Sequence, residues 1–141
     1  MNEENAREYA EWMKVAKRDL RGAHKLNDGE DSPLVCYHCQ QAAEKAVKAL
    51  IMSIGAPGGL PKTHDISFLL NQVKNGLTAP IPQEIKDAGN DLNQYATATR
   101  YPAEEEISQS EADRAIEAAT LIIQWVETEA ESVLGGTGFA E

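Results

Sequence analysis

One segment of the chain constrains its fold more than any other: CYHCQQAAEKAVKAL, which runs from Cys36 to Leu50. Its apolar residues recur every three or four positions, which is the spacing of a broad apolar face on an α-helix. Ser32 is placed to cap this helix, Pro33 suits its first position, and Gly55 can close it in the left-handed conformation. The pattern therefore predicts a long core helix. Its apolar face comprises Ala42, Ala43, Ala46, Val47, Leu50, Ile51 and Ile54.

Four further segments have the same helical spacing, over residues 9–23, 66–73, 85–95 and 112–126. Thr63 or Asp65 can cap the third helix, and Ser108 followed by Glu111 is typical of a capping box at the start of the last one. No alternating pattern indicates a strand. The sequence therefore predicts an all-α, up-and-down bundle of about five helices over residues 1–134, followed by a flexible C-terminal tail at 135–141.

Composition narrows the class of protein further. The 141 residues suit one domain, and a formal charge of -10 argues against a general nucleic-acid coat, although local basic patches are compatible with it. Cys36 and Cys39 stand three residues apart on one helix, where a disulfide would be strained, so we expect reduced thiols. The acidic N-terminus does not look like a signal peptide and no apolar run could cross a membrane, so we expect a cytoplasmic protein.

Three motifs carry a family resemblance. CYHCQQAAEKAVKAL is followed by KTHD at 62–65 and by TRYP at 99–102, in that order along the chain. Together they resemble the HEPN family, the higher eukaryotes and prokaryotes nucleotide-binding domain. The resemblance extends from Trp12 to about Trp125. It implies a helical bundle that commonly dimerises and that associates with nucleotides, RNA or a nucleotidyltransferase-like partner protein.

Some members of the family resemble toxins that cut RNA, and these carry an arginine followed after four to six residues by a histidine near the start of the last long helix. Here the stretch after Arg100 is YPAEEEISQSEADRA, which has no histidine. We therefore assign no catalytic residue and expect a protein that is not an enzyme. Arg18 and His24 match the spacing, but they lie on the first helix, and we interpret that match as coincidence.

The candidate ligand-binding residues begin with a polar row on the second helix. His38, Gln41, Lys45 and Lys48 follow at spacings of three, four and three, so they share one helix face that could hold phosphates and base edges. The alternative is a solvated face in which Glu44 and Lys48 form an ion pair, or a histidine that is bonded within the bundle.

Two further motifs add candidates. Lys62 and His64 could contribute to a shared anion pocket. The alternative is that THD, at residues 63–65, only caps the N-terminus of the third helix. Arg100 could grip a phosphate and Tyr101 could stack on a base, whereas a cation at a helix C-terminus is favoured without any ligand. The candidate nucleotide-binding set is therefore His38, Gln41, Lys45, Lys48, Lys62, His64, Arg100 and Tyr101.

A metal site is not expected. Cys36 and His38 are two residues apart and point in different directions around a helix, so they and Cys39 cannot converge on one ion, and no motif indicates a cofactor. Three functions stay open. The first is a non-catalytic HEPN-type module that binds a nucleotide or a nucleotidyltransferase-like partner as a homodimer, and the others are a toxin-like ribonuclease with an atypical site and a purely structural interaction module.

Overall fold

The computed structural model describes residues 3–55, 58–96 and 106–135. Two short 3₁₀ turns, Lys74–Gly76 and Asn93–Tyr95, continue the third and fourth α-helices. These residues contain no β-strand, and the predicted all-α bundle of about five helices is confirmed. The helices are α1 (Glu3–Leu26), α2 (Ser32–Ile54), α3 (Ile66–Val73), α4 (Gln83–Leu92) and α5 (Gln109–Gly135).

Helix α2 lies at the centre of the bundle. It packs most extensively against α1 and α5, and less so against α3 and α4. Buried residues surround much of its circumference, as expected for a helix enclosed by others. Many of them are alanines, which let neighbouring helices approach closely. The buried alanines are Ala42, Ala43, Ala46 and Ala49 on α2, Ala16 and Ala23 on α1, Ala88 on α4, and Ala112, Ala115, Ala119 and Ala130 on α5.

Most of the predicted helix ends are observed. Gly55 closes α2 with φ of 74°, in the left-handed conformation. Asp65, rather than Thr63, caps α3: its Oδ1 accepts a hydrogen bond from the Phe68 N–H at 3.1 Å. At the start of α5, Ser108 Oγ accepts from the Glu111 N–H at 3.1 Å, as the capping-box pattern predicts.

The start of α2 differs from the prediction by one residue. Ser32 is the first helical residue rather than the cap, and Asp31 precedes the helix without making a side-chain cap hydrogen bond. Pro33 is therefore the second helical residue rather than the first, although it still lies in the first turn. Since proline has no N–H, this helix start has one donor fewer to satisfy.

Gly89 lies in the middle of α4, where glycine lowers helix propensity. A Cβ at this position would lie 2.9 Å from Ile66 Cγ2 and 3.2 Å from Leu70 Cδ1. The glycine therefore lets α4 pack directly onto α3, which offsets its cost to the helix.

The remaining predictions concern thiols, chain ends and membranes. Cys36 and Cys39 are buried thiols with no disulfide between them, and burial together with the neighbouring Cys36 raises the pKa of Cys39 to about 12. Gly135 is the last residue of α5, while the rest of the predicted tail lies outside the described residues. Across the described ranges, no helix combines the length and apolar character needed to cross a membrane.

Candidate functional site

A buried carboxylate on α2 organises the polar residues around it. Glu44 is 3% exposed and accepts hydrogen bonds from Lys48 Nζ at 2.7 Å, His64 Nδ1 at 3.0 Å and Gln40 Nε2 at 3.2 Å. Burial alone would raise the pKa of Glu44, but the hydrogen bonds from Lys48, His64 and Gln40 outweigh burial and lower this pKa below its ordinary value. Glu44 is therefore ionised at neutral pH.

Two glutamines complete this cluster and join α2 to the loop before α3. Gln40 is fully buried, and its Nε2 also donates to the backbone carbonyl of His64 at 2.9 Å. Gln41 donates to Gln40 Oε1 at 2.8 Å. We call Gln40, Gln41, Glu44, Lys48 and His64 the α2 junction. Because its buried groups bond one another, the junction holds the loop in one position against the helix.

His64 is the exposed member of the junction, with 69% of its side chain accessible. An ionised Glu44 can only accept a hydrogen bond, so Nδ1 of His64 carries the proton in their contact. The other ring nitrogen, Nε2, is left for a ligand or solvent. Glu44 thus orients an imidazole that faces outward.

A second carboxylate, that of Asp19 on α1, lies beside His38 and Lys45 of the predicted polar row. Its Oδ2 accepts from Lys45 Nζ at 2.7 Å, and its Oδ1 lies 3.6 Å from His38 Nδ1, which is too long for a hydrogen bond. His38 Nδ1 is buried and has no hydrogen-bond partner within the described ranges. The histidine ring lies edge-on to Tyr37, with centroids 5.6 Å apart.

The structure therefore places His38, Gln41, Lys45 and Lys48 on α2 in two groups. Lys48 pairs with Glu44, as the ion-pair alternative predicted, and its ammonium also lies 5.7 Å from the ring centroid of Trp12. Lys45 pairs with Asp19 instead. Both lysines of the row are thus neutralised by carboxylates of the same chain.

The other predicted residues fall in different places. Lys62 is exposed two residues before His64, and it makes no ion pair with any described residue. Asp65 and Asn93 form the cap of α3, with Asn93 Nδ2 donating to Asp65 Oδ1 at 2.9 Å, which matches the N-cap interpretation of THD. Arg100 and Tyr101 lie outside the described residues.

Sequence reasoning missed two members of this arrangement and one cavity. Gln40 stands beside Gln41 in the motif, but its burial could not be read from the spacing, and Asp19 lies on another helix.

A cavity of about 260 Å³ opens between α4 and α5, where Tyr95 donates a hydrogen bond to Glu111. Burial and that bond raise the pKa of Tyr95. The polar lining of this cavity is Asp91, Gln94, Tyr95, Glu111 and Arg114.

A compact helical bundle with a polar junction on its central helix is the class of protein that this geometry defines. The model of the HEPN domain family matches residues 9–129, and the chain belongs to that family. This agrees with the motifs around Gln41 and His64. No curated protein matches the chain.

Solved structures give the same result. An archaeal HEPN homologue is 32% identical over 86% of this chain and 97% of its own, with a TM-score of 0.68. A protein from Thermus thermophilus is 29% identical over the same shares, with a TM-score of 0.73. A HEPN domain protein from Thermotoga maritima is 27% identical over 84% of this chain and 95% of its own, with a TM-score of 0.67.

Proposed function

We propose that this protein is a non-catalytic HEPN module that works as a homodimer and binds a nucleotide, a nucleotidyltransferase-like partner protein, or both. The observation that carries the ligand half of the proposal is the geometry of His64. Its Nδ1 is held 3.0 Å from the buried carboxylate of Glu44, while most of the ring is exposed. Because the imidazole is already held in one orientation, it loses little further rotational freedom when a ligand binds.

Charge along the polar row of α2 supports a division of roles. Lys45 and Lys48 are paired with Asp19 and Glu44, so they bind carboxylates of the same chain rather than supply net positive charge to a phosphate. Lys62 has no such carboxylate among the described residues. We therefore assign the direct contact with a nucleotide phosphate to Lys62 and to the doubly protonated ring of His64, whose Nε2–H can donate while Nδ1–H stays bonded to Glu44. Arg100 and Tyr101 are further candidates.

The non-catalytic part of the proposal rests on the sequence after Arg100, which lacks the histidine of the RNA-cutting members. Incubation of the purified protein with cellular RNA tests it, and we expect the RNA to stay intact. Cleavage that disappears in His64→Ala would replace this proposal with that of a ribonuclease with an atypical site.

Calorimetric titration with a panel of nucleoside mono-, di- and triphosphates tests the ligand half. We expect binding that His64→Ala weakens about tenfold, the loss of one hydrogen bond to a charged group. Lys74→Ala, an exposed lysine on a different helix end, is the matched control and should leave the affinity unchanged. Absence of heat at millimolar nucleotide would remove the ligand half.

Light scattering tests the homodimer, which should have twice the 15.4 kDa mass of one chain. A strict monomer at all concentrations would remove that part of the proposal.

Co-expression with a nucleotidyltransferase encoded by a neighbouring reading frame tests the partner half. We expect the two proteins to co-purify as a complex, and a pair that separates completely would count against this half of the proposal.

A further inference from the structure

The outward face of α1 carries a basic stripe that the proposed nucleotide site does not use. Lys14, Arg18, Arg21 and Lys25 follow at spacings of four, three and four residues, which places them within a narrow arc of one helix face. All four side chains are exposed. The stripe is about 16 Å long, from a rise of about 1.5 Å per residue.

These four cations have no internal role in the described part of the molecule. Other residues of α1 do form ion pairs there: Lys17 with Glu127, and Asp19 with Lys45. The stripe residues form none with any described residue. Like charges one helical turn apart repel, so this arrangement slightly destabilises the isolated helix. The chain has a net charge of -10, so the charge of this face is opposite in sign to that of the chain as a whole. Packing does not explain this difference.

The ends of the stripe indicate what kind of anion fits it. Glu11 lies one turn before Lys14, and the exposed Asp28 and Glu30 follow Lys25 directly after the helix. A long polyanion such as a duplex would run past both ends and meet these carboxylates. No aromatic residue occupies a stripe position, so the surface offers no platform for stacking bases.

We infer that the stripe of Lys14, Arg18, Arg21 and Lys25 docks a short acidic helix of a partner protein whose carboxylates repeat at spacings of four, three and four residues. A helix of about twelve residues matches the length of the stripe, since both helices have the same rise. Electrostatic attraction between the two oppositely charged surfaces raises the association rate and fixes the orientation of such a complex. The inference deepens the partner half of the proposed function.

Fluorescence anisotropy with a labelled helical peptide tests this directly. The probe is an alanine-rich 18-residue peptide with four glutamates at spacings of four, three and four, and a second peptide of identical composition has its glutamates spread around the helix. We expect the first peptide to bind more tightly, with an affinity that falls steeply as salt rises. Equal binding of the two peptides, or no binding of the first, would overturn the inference.

Two charge-reversal variants locate the surface. In Arg18→Glu with Arg21→Glu, peptide affinity should fall at least roughly tenfold, since two charge pairs are lost. The control, Lys74→Glu with Lys86→Glu, makes the same change in net charge at exposed positions away from α1, and it should change the affinity much less. Similar losses in the two variants would show a general charge effect and overturn the assignment to α1.

A titration with nucleic acid distinguishes an acidic protein partner from a nucleic-acid partner. Duplex RNA of 12 and of 40 base pairs is titrated against the same proteins, and weaker binding than to the first peptide is expected. Tighter binding of duplex RNA, lost in the α1 variant, would overturn the acidic-helix assignment in favour of nucleic acid. None of these assays contains a free nucleotide or a nucleotidyltransferase, so their failure is a separate result from failure of the nucleotide titration or of the co-purification.

Discussion

The polar row of α2 and the basic stripe of α1 both present basic side chains at helical spacing, but their surroundings are opposite. Lys45 and Lys48 each lie 2.7 Å from a carboxylate, and their side chains are 23% and 12% exposed. Lys14 and Arg18 are exposed and have no such partner in the described part of the chain. Spacing alone therefore does not identify a binding surface, because a carboxylate on a neighbouring helix can convert a basic row into part of the fold.

If this comparison is correct, removing the carboxylate of the junction should have the largest effect on stability. Glu44→Gln keeps the size of the side chain but leaves Lys48, which is 12% exposed, without its counter-charge. Breaking a buried pair in this way costs about 3 kcal/mol or more of the free energy of unfolding. Urea denaturation monitored by circular dichroism measures it.

The control for this prediction is Glu117→Gln, which removes the same charge from an exposed position on α5 and should change the free energy of unfolding by less than about 0.5 kcal/mol. Equal effects of the two substitutions would mean that Glu44 does not organise the junction.

Acid should have a smaller effect than the substitution, because the lowered pKa of Glu44 keeps much of its charge in the folded protein as the pH falls, whereas Glu44→Gln removes the charge at every pH. The pKa of Glu44 is lowered in the folded protein from its ordinary value of 4.5. The unfolded chain therefore takes up this proton at a higher pH than the folded chain does. The stability that Glu44 contributes is complete above about pH 4.5 and is lost as the pH falls through the folded pKa.

Urea denaturation between pH 3 and pH 7 measures this dependence, and Glu44→Gln should show a shallower loss of stability below pH 4.5 than the unaltered protein. Parallel curves for the two proteins would contradict the assignment. Glu117→Gln, the exposed control, should follow the unaltered protein.

Asp19→Asn should cost less than Glu44→Gln, about 1 kcal/mol of the free energy of unfolding, since Asp19 is 18% exposed and the new amide can still accept from Lys45. Hydrogen exchange should locate the loss at the contact between α1 and α2. A loss as large as that of Glu44→Gln would mean that the two carboxylates are equally important to the bundle.

The sequence predicted much of the bundle because its signals are local. Apolar spacing around Leu50, the glycine at 55 and the cap at Asp65 each depend on residues within a few positions of one another. The junction depends instead on distant residues: Lys45 meets Asp19 from 26 positions earlier, and Gln40 meets the carbonyl of His64 from 24 positions away. Such contacts follow from how two helices are rotated against each other, which periodicity alone does not determine.

The smallest effect should come from the stripe itself. Arg18→Gln with Arg21→Gln removes two exposed cations that repel their neighbours and have no partner among the described residues, so the free energy of unfolding should change by less than about 0.5 kcal/mol, or rise slightly. Urea denaturation at low salt measures this most sensitively, because salt screens the repulsion. A loss of more than about 1 kcal/mol would place these arginines in the fold and remove the contrast with Lys45 and Lys48. Unchanged stability combined with lost peptide binding would separate a surface that serves a partner from one that serves the bundle.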